Sequence, residues 1–248
     1  PPKKTTNHAG MRAIDTFCVK SAGECDTVDR MVDMNSFFDA DIGVGESGRR
    51  LACFETAERM GPWMDRYRIT RALVYDRGAV ESGQFRDFSR ILDFCRGQPD
   101  RLFPTIPIAP PASGESPEPE DLVAQIRAEG ICGVRVWPEL HALDFDPFHF
   151  GRILAPLEAH RVPVLVHLSE GHPWGYRSGW KNLAETARAF PELPLIILWS
   201  GMRNGRQMLP LLDGCPNVRF DLTCVTGQFL EFVGERWGAG RLVTASHY

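Results

Sequence analysis

The sequence predicts a single (β/α)8 barrel, and three observations lead to this prediction. Eight short, strand-like segments are separated by stretches long enough for helical crossovers, and their spacing is regular after the first. Repeated βα units predict a parallel sheet with right-handed crossovers, and 248 residues is the usual size of a closed barrel. No G-x-G-x-x-G motif follows the first segment, which disfavours the alternative of an open dinucleotide-binding sheet.

Most of the predicted strands are continuous apolar runs, as expected for strands buried on both faces of a parallel sheet. The first covers residues 11–19 and is followed by an irregular, acidic insertion at about 20–48, which we interpret as solvated surface. The later strands are predicted at 69–75, 102–108, 131–137, 162–167, 195–199, 218–222 and 242–245.

Helical spacing of apolar residues and helix-boundary signals place a crossover between successive strands. Helices are predicted at 49–60, 84–96, from 116 onward, and at 147–160, 179–190, 204–213 and 227–236. Gly61 and Pro62 are predicted to end the first of these. The sequence stops three residues after the eighth strand, so the predicted barrel lacks its last helix, and residues 1–248 are treated as one domain.

The composition restricts the classes of partner. The formal net charge is −4, which gives no basic surface for nucleic acid or anionic membrane, and no apolar run approaches the roughly 20 residues of a membrane helix. The polar N-terminus does not have the pattern of a signal peptide. Seven scattered cysteines without a C-x-x-C pair indicate reduced thiols, so we expect a cytoplasmic protein.

Five stretches in the second half of the chain resemble one family. They are Gly-Ile-Cys-Gly-Val-Arg-Val-Trp-Pro at 130–138, Val-Pro-Val-Leu-Val-His at 162–167, and the segments at 191–201, 215–222 and 238–248. These stretches are similar to strands four to eight of the amidohydrolase-related metal-dependent hydrolases, the branch that contains aminocarboxymuconate-semialdehyde decarboxylase. The resemblance implies a TIM barrel, hydrolase or decarboxylase activity, and zinc or another divalent metal as cofactor.

The chain departs from that family's ligand pattern. Where the family has I-D-x-H-x-H on strand one, the predicted strand places Phe17 and Val19 at the histidine positions. Trp199 replaces the histidine of strand six, and Ala245-Ser246-His247 replaces the G-S-D of strand eight. Only His167 is kept, so an apolar barrel mouth without a bound metal is expected; if a metal binds, His167 and His247 are its predicted ligands.

His167 and His247 are the predicted catalytic residues, because histidine suits acid–base catalysis near neutral pH and both point into the barrel mouth by strand alternation. The alternative is that each is a hydrogen-bonded core histidine. Asp221, at the end of strand seven, is predicted either to orient one histidine or to cap a loop.

Four further residues are predicted to bind the ligand. Arg135 and Trp137 share one face near the end of strand four, where an arginine suits a substrate carboxylate; the alternative is an ion pair with a loop carboxylate. His172 lies on the loop after strand five. Trp199 is either a bulky plug or a stacking platform.

Three functions remain open from the sequence. The first is a diverged family member with hydrolase- or decarboxylase-type chemistry on a small carboxylated ligand. The second is a catalytically inactive barrel that binds a ligand or partner. The third is a subunit of an assembly such as a homo-oligomer, which the long insertion would help to build.

Overall fold

A computed structural model confirms the barrel. It describes residues 36–46, 54–168, 179–200, 204–222 and 225–248. Eight parallel strands form one sheet in sequence order. The strands are β1 (Phe37–Val44), β2 (Ile69–Asp76), β3 (Leu102–Pro107), β4 (Gly133–Val136), β5 (Val164–His167), β6 (Leu195–Leu198), β7 (Val218–Asp221) and β8 (Leu242–Val243).

The first strand corrects two predictions. Phe37–Val44, inside the stretch predicted to be irregular, pairs with β2 and occupies the place predicted for residues 11–19. Residues 11–19, with Phe17 and Val19, lie outside the described residues. The prediction failed because Asp39 and Asp41 interrupt this apolar run, and acidic residues are rarely fully buried unless they are paired.

The segment after β8 closes the barrel against β1. The amide of Ala40 donates to the Thr244 carbonyl at 2.9 Å, and the amide of Gly43 donates to the Tyr248 carbonyl at 3.0 Å. The amide of His247 donates to the Asp41 carbonyl at 3.1 Å. This closure places His247 beside the end of β1.

Helices surround the sheet. They are α1 (Ala57–Arg66), α2 (Arg77–Ser82), α3 (Ser89–Arg96), α4 (Pro119–Glu129), α5 (Pro147–Ala159), α6 (Trp180–Ala189), α7 (Gly205–Gly214) and α8 (Gly227–Trp237). No helix in the described ranges is long and apolar enough to cross a membrane. Two helical segments differ from the prediction. Helix α1 follows its Thr56 cap and continues through Pro62, and the segment between β2 and β3 forms two helices, α2 and α3, where one was predicted.

Two apolar layers hold the architecture together. A large cluster fills the space between strands and helices, and a smaller one fills the barrel interior with Ala40, Leu73, Leu165, Leu198 and Val243. Burial of these side chains is the main stabilising contribution to such a barrel. The interior cluster forms the floor of the mouth, where the strands end in polar residues.

Candidate functional site at the mouth of the barrel

An irregularity in β1 brings a carboxylate into the barrel mouth. The register of β1 against β2 shifts between Asp39 and Ile42, as at a β-bulge. Ala40 packs in the interior cluster, yet the next side chain, Asp41, also contacts residues of the interior. Bulges commonly re-aim side chains next to active sites. Asp39 supports this turn, because its Oδ1 accepts from the amides of Asp41 and Ser246 at 2.9 and 3.0 Å.

Asp41 is the centre of the mouth. Its Oδ1 accepts from Arg135 Nη1 at 2.5 Å, and its Oδ2 accepts from His247 Nδ1 at 2.5 Å. Burial by itself would raise the pKa of the Asp41 carboxyl, but its interactions with His167, Arg135 and His247 hold that pKa well below its usual range. Asp41 is therefore an ionised carboxylate that links the two sides of the mouth.

Arg135, at the end of β4, is fully buried and surrounded by partners. Besides Asp41, its Nε donates to Thr105 Oγ1 at 2.6 Å and its Nη2 donates to the Ala40 carbonyl at 2.8 Å. The guanidinium carbon also lies 4.6 Å from the centre of the Tyr75 ring, within the range of a cation–π contact. The surrounding protein groups therefore fix both the position and the charge of this side chain.

His167, at the end of β5, is held neutral. Burial lowers its pKa to about 3, and the adjacent Arg135 adds to this effect against the opposing influence of Asp41. Nε2 of His167 lies 2.9 Å from Arg135 Nη1 and accepts its proton, which places the ring proton on Nδ1. The ring stacks on Trp137, with centroids 4.4 Å apart.

His247 has the opposite charge state. Burial would lower its pKa, but hydrogen bonds to Asp221 and Asp41 raise it to about 9. Its Nδ1 donates to Asp41, and its Nε2 donates to Asp221 Oδ2 at 2.6 Å. Because both ring nitrogens carry protons, His247 is an imidazolium between two carboxylates.

Asp221, at the end of β7, has one oxygen with no hydrogen-bond partner among the described residues. Its Oδ2 accepts from His247 and from the amide of Trp199 at 3.1 Å, whereas Oδ1 is buried and unpaired. Trp137 Nε1 is another buried atom for which the described ranges supply no partner. Buried polar atoms are nearly always paired in folded proteins, so unpaired ones at a barrel mouth indicate a place for a ligand or a proton.

Two of the five non-glycine residues that have a positive φ angle in the described ranges lie at the same place. Trp199 and His247 both have positive φ angles, 51° and 57°, and their rings lie 4.4 Å apart. A left-handed conformation is uncommon for residues other than glycine, although asparagine, aspartate and histidine adopt it more often than the rest, so its cost is greater for Trp199 than for His247. Trp199 and His247 follow β6 and β8, at the positions where the sequence departs from the family's ligand pattern.

The structure brings together most of the residues predicted from sequence. Arg135, Trp137, His167, Asp221 and His247 form one network at the mouth, and Trp199 borders it. His172 lies outside the described residues. The expected apolar mouth is wrong for the described part of the site, since charged groups surround His167.

Sequence reasoning missed the central residue. Asp41 and its support Asp39 were included in an acidic, solvated surface. The available signal was the Phe-Phe-Asp-Ala-Asp-Ile-Gly-Val run itself, which has apolar residues at both ends of the acidic pair. Gly43 in this run allows Arg77 to approach closely, because a Cβ there would lie only 2.5 Å from Arg77 Nη2.

Comparisons with known proteins were made for the sequence and for the fold. A family profile described as amidohydrolase matches residues 56–245. No curated protein matches the sequence.

Several solved structures share the fold. A 5-carboxyvanillate decarboxylase from Novosphingobium aromaticivorans with bound manganese is 12% identical with a TM-score of 0.68, over 87% of each chain. A 2,6-dihydroxybenzoate decarboxylase from Rhizobium is 13% identical with a TM-score of 0.64, over 87% of this chain and 88% of that one. A probable 2-pyrone-4,6-dicarboxylic acid hydrolase from Acinetobacter baumannii, with citric acid bound, is 16% identical with a TM-score of 0.60, over 87% and 84%.

Proposed function

The chain belongs to the amidohydrolase family, and from this premise we propose that its barrel mouth binds a small carboxylated ligand and carries out hydrolase- or decarboxylase-type chemistry on it. The proposal keeps the reaction class of the family. It assigns the chemistry to Asp221 and His247.

The unpaired oxygen of Asp221 carries this proposal. Asp221 Oδ1 is buried at the mouth and has no hydrogen-bond partner in the part of the chain that the structure describes, while Oδ2 is 2.6 Å from the protonated Nε2 of His247. A carboxylate held in this way can accept one proton from a reacting group on Oδ1, while Oδ2 keeps its hydrogen bond from His247, and it returns that proton to the product. We therefore assign Asp221 as the general base and His247 as the hydrogen-bond donor that holds Asp221 in position.

His167 and Arg135 have supporting roles in this proposal. His167 is neutral and accepts from Arg135, and a pKa of about 3 makes it a weak base at neutral pH. The Arg135 guanidinium is already engaged by Asp41, Thr105 and Ala40. Both residues therefore position Asp41, which in turn holds His247, and Arg135 is not assigned to the substrate carboxylate.

Other groups at the mouth suit a carboxylated ring. Arg77 provides a second buried guanidinium, which donates to the Tyr248 carbonyl at 3.0 Å and follows the end of β2. Trp137 Nε1 is a buried donor with no acceptor within residues 36–46, 54–168, 179–200, 204–222 and 225–248, and the half-buried Trp199 provides a ring surface beside His247. The names of the structural neighbours support this ligand class, because they refer to dihydroxybenzoate, carboxyvanillate and pyrone dicarboxylate.

Binding and turnover of ring carboxylates test the proposal. We expect 2,6-dihydroxybenzoate or 2-pyrone-4,6-dicarboxylate, measured by calorimetry and by product analysis, to bind and to be converted. Asp221→Asn is expected to retain binding and to lose about 10²- to 10⁴-fold in turnover, the range of general acid–base catalysis. Asp213→Asn, at an exposed ion pair with Arg236, is the matched control and is expected to keep both.

A catalytically inactive barrel is the second candidate function. The observation that favours it is that Asp41, Arg135, His167 and His247 are engaged with one another. Binding without product, unchanged by Asp221→Asn, would assign this second function. Absence of binding by every ring carboxylate tested would refute the proposed ligand class.

A further inference from the structure

We propose that the guanidinium of Arg135 takes the place of a divalent metal ion in this barrel, as a fixed positive charge bound by a carboxylate from β1 and an imidazole from β5. The inference goes beyond the proposed reaction and does not depend on any ligand. It concerns the cation itself, since a structural neighbour of this family's fold contains bound manganese.

The spacing of the two acceptor atoms leads to this inference. Asp41 Oδ1 and His167 Nε2 are 3.4 Å apart. Two ligands of one tetrahedral ion, each about 2.0–2.2 Å from the metal, are separated by about 3.4 Å. The pair therefore has the atom types and the separation of two metal ligands.

A guanidinium nitrogen already binds both atoms. Arg135 Nη1 lies 2.5 Å from Asp41 Oδ1 and 2.9 Å from His167 Nε2. The rest of the guanidinium cannot easily withdraw, because Thr105, the Ala40 carbonyl and the Tyr75 ring hold it in a fully buried position. Removing it would leave several buried polar groups without partners, which is costly.

The remaining candidate donors do not complete a metal site. Both ring nitrogens of His247 are already hydrogen-bonded, Nδ1 to Asp41 at 2.5 Å and Nε2 to Asp221 at 2.6 Å, so neither is directed at an ion beside Asp41 and His167. A divalent ion beside Asp41 and His167 would also lie next to the Arg135 charge, at a distance where repulsion in a buried site is large. Within the described ranges, no group of three histidine, cysteine, aspartate or glutamate residues is arranged to hold a metal ion. The described residues thus do not fit the ion that the family implies.

The replacement of a metal ion by a guanidinium changes the chemistry that is possible at the mouth. A guanidinium supplies a permanent single charge and hydrogen-bond donors, but it has no coordination position for a water molecule. A carboxylate and an imidazole are common ligands of a divalent cation, and here both contact the Arg135 guanidinium instead.

Metal binding by the whole chain tests this inference. We expect the wild-type protein to retain far less than one divalent ion per chain after dialysis, by elemental analysis, and its melting temperature to be unaffected by added Co²⁺ or by a chelator. Arg135→Ala removes the guanidinium and is expected to bind Co²⁺ at least tenfold more tightly than wild type, with a visible absorption band and a rise in melting temperature. This gain is expected to disappear in Arg135→Ala combined with His167→Ala.

The control is Arg236→Ala, which removes an arginine from an exposed pair with Asp213 and is expected to gain no Co²⁺ binding. If Arg135→Ala folds only when Co²⁺ is present, that rescue supports the inference. If it does not fold in either condition, Arg135→Gln, which keeps a polar side chain without the charge, replaces it. A wild-type protein that holds one ion per chain, lost in His167→Ala, would overturn the inference, as would a folded, uncharged variant at position 135 that gains no Co²⁺.

Discussion

The β4–β5 side of the mouth and the β7–β8 side use the same residue type in opposite charge states. On the first side His167 faces the Arg135 guanidinium and is neutral. On the second side His247 faces two carboxylates, Asp41 and Asp221, and is protonated. Both histidines are buried, so burial lowers the pKa of each, and the difference comes from their partners.

Asp41 is the residue that the two sides share. Each of its oxygens faces one cation, Arg135 on one side and His247 on the other. The alternation of charge makes the network self-consistent, because the neutral His167 accepts where the cation donates. The charge state of each buried histidine therefore depends on the charge of its neighbours. Substitutions that act on one side or on both can test this dependence.

The largest effect is expected for Asp41→Asn, which removes the link between the two sides. Two buried cations, Arg135 and His247, would lose their shared counter-ion, and breaking a buried ion pair in this way typically costs about 3–5 kcal/mol. The free energy of unfolding from urea denaturation at pH 7 is the measurement.

Asp213→Asn makes the same chemical change in an exposed pair and is expected to cost no more than about 1 kcal/mol. If both variants lose the same small amount, Asp41 does not couple the two sides, and the comparison fails at its centre.

The second-largest effect is expected on the β7–β8 side, where the protein should lose stability at high pH. The pKa of His247 is raised from 6.5 to about 9, so its contribution is fully present below pH 6.5 and is lost as the pH rises through 9. The shift corresponds to about 3 kcal/mol. We expect wild type to lose about this amount between pH 6.5 and 10, measured by urea denaturation, and His247→Gln to lose much less.

His247→Gln should accordingly be less stable than wild type at pH 6.5 and of similar stability near pH 10. If the difference in stability between the two proteins does not change with pH, the two carboxylates do not stabilise the protonated form of His247.

Strands β2 to β8 are predictable from sequence because their apolar runs are buried by both the barrel interior and the helices. Runs such as Val-Pro-Val-Leu-Val-His at 162–167 and Leu-Ile-Ile-Leu at 195–198 need no information from distant residues. β1 is different, since Asp39 and Asp41 are buried only because their partners are supplied by other strands.

The same dependence on partners from distant strands determines which residues of the site could be predicted. His167, Arg135, Asp221 and His247 each end a recognisable apolar strand or its continuation, so strand alternation places them at the mouth. Asp41 is 94 residues from Arg135 and 206 from His247, and no local pattern indicates that a bulge turns it toward them. Charge states depend on these distant pairs, so they could not be assigned before the fold was known.

The smallest effect is expected on the β4–β5 side, where the pH dependence has the opposite sign. The pKa of His167 is lowered from 6.5 to about 3, so its neutral form stabilises the fold above pH 6.5, and this contribution is lost as the pH falls. His167→Gln keeps an acceptor for Arg135 but loses the stacking on Trp137, so we expect a cost of about 1 kcal/mol at pH 7.5. Because glutamine does not titrate, the variant should equal or exceed wild type in stability near pH 5, measured by urea denaturation at each pH.

His160→Gln, at the exposed end of α5, controls for loss of a histidine. Parallel pH curves for wild type and His167→Gln would mean that burial and Arg135 do not hold His167 neutral, and the contrast between the two sides would then rest on His247 alone.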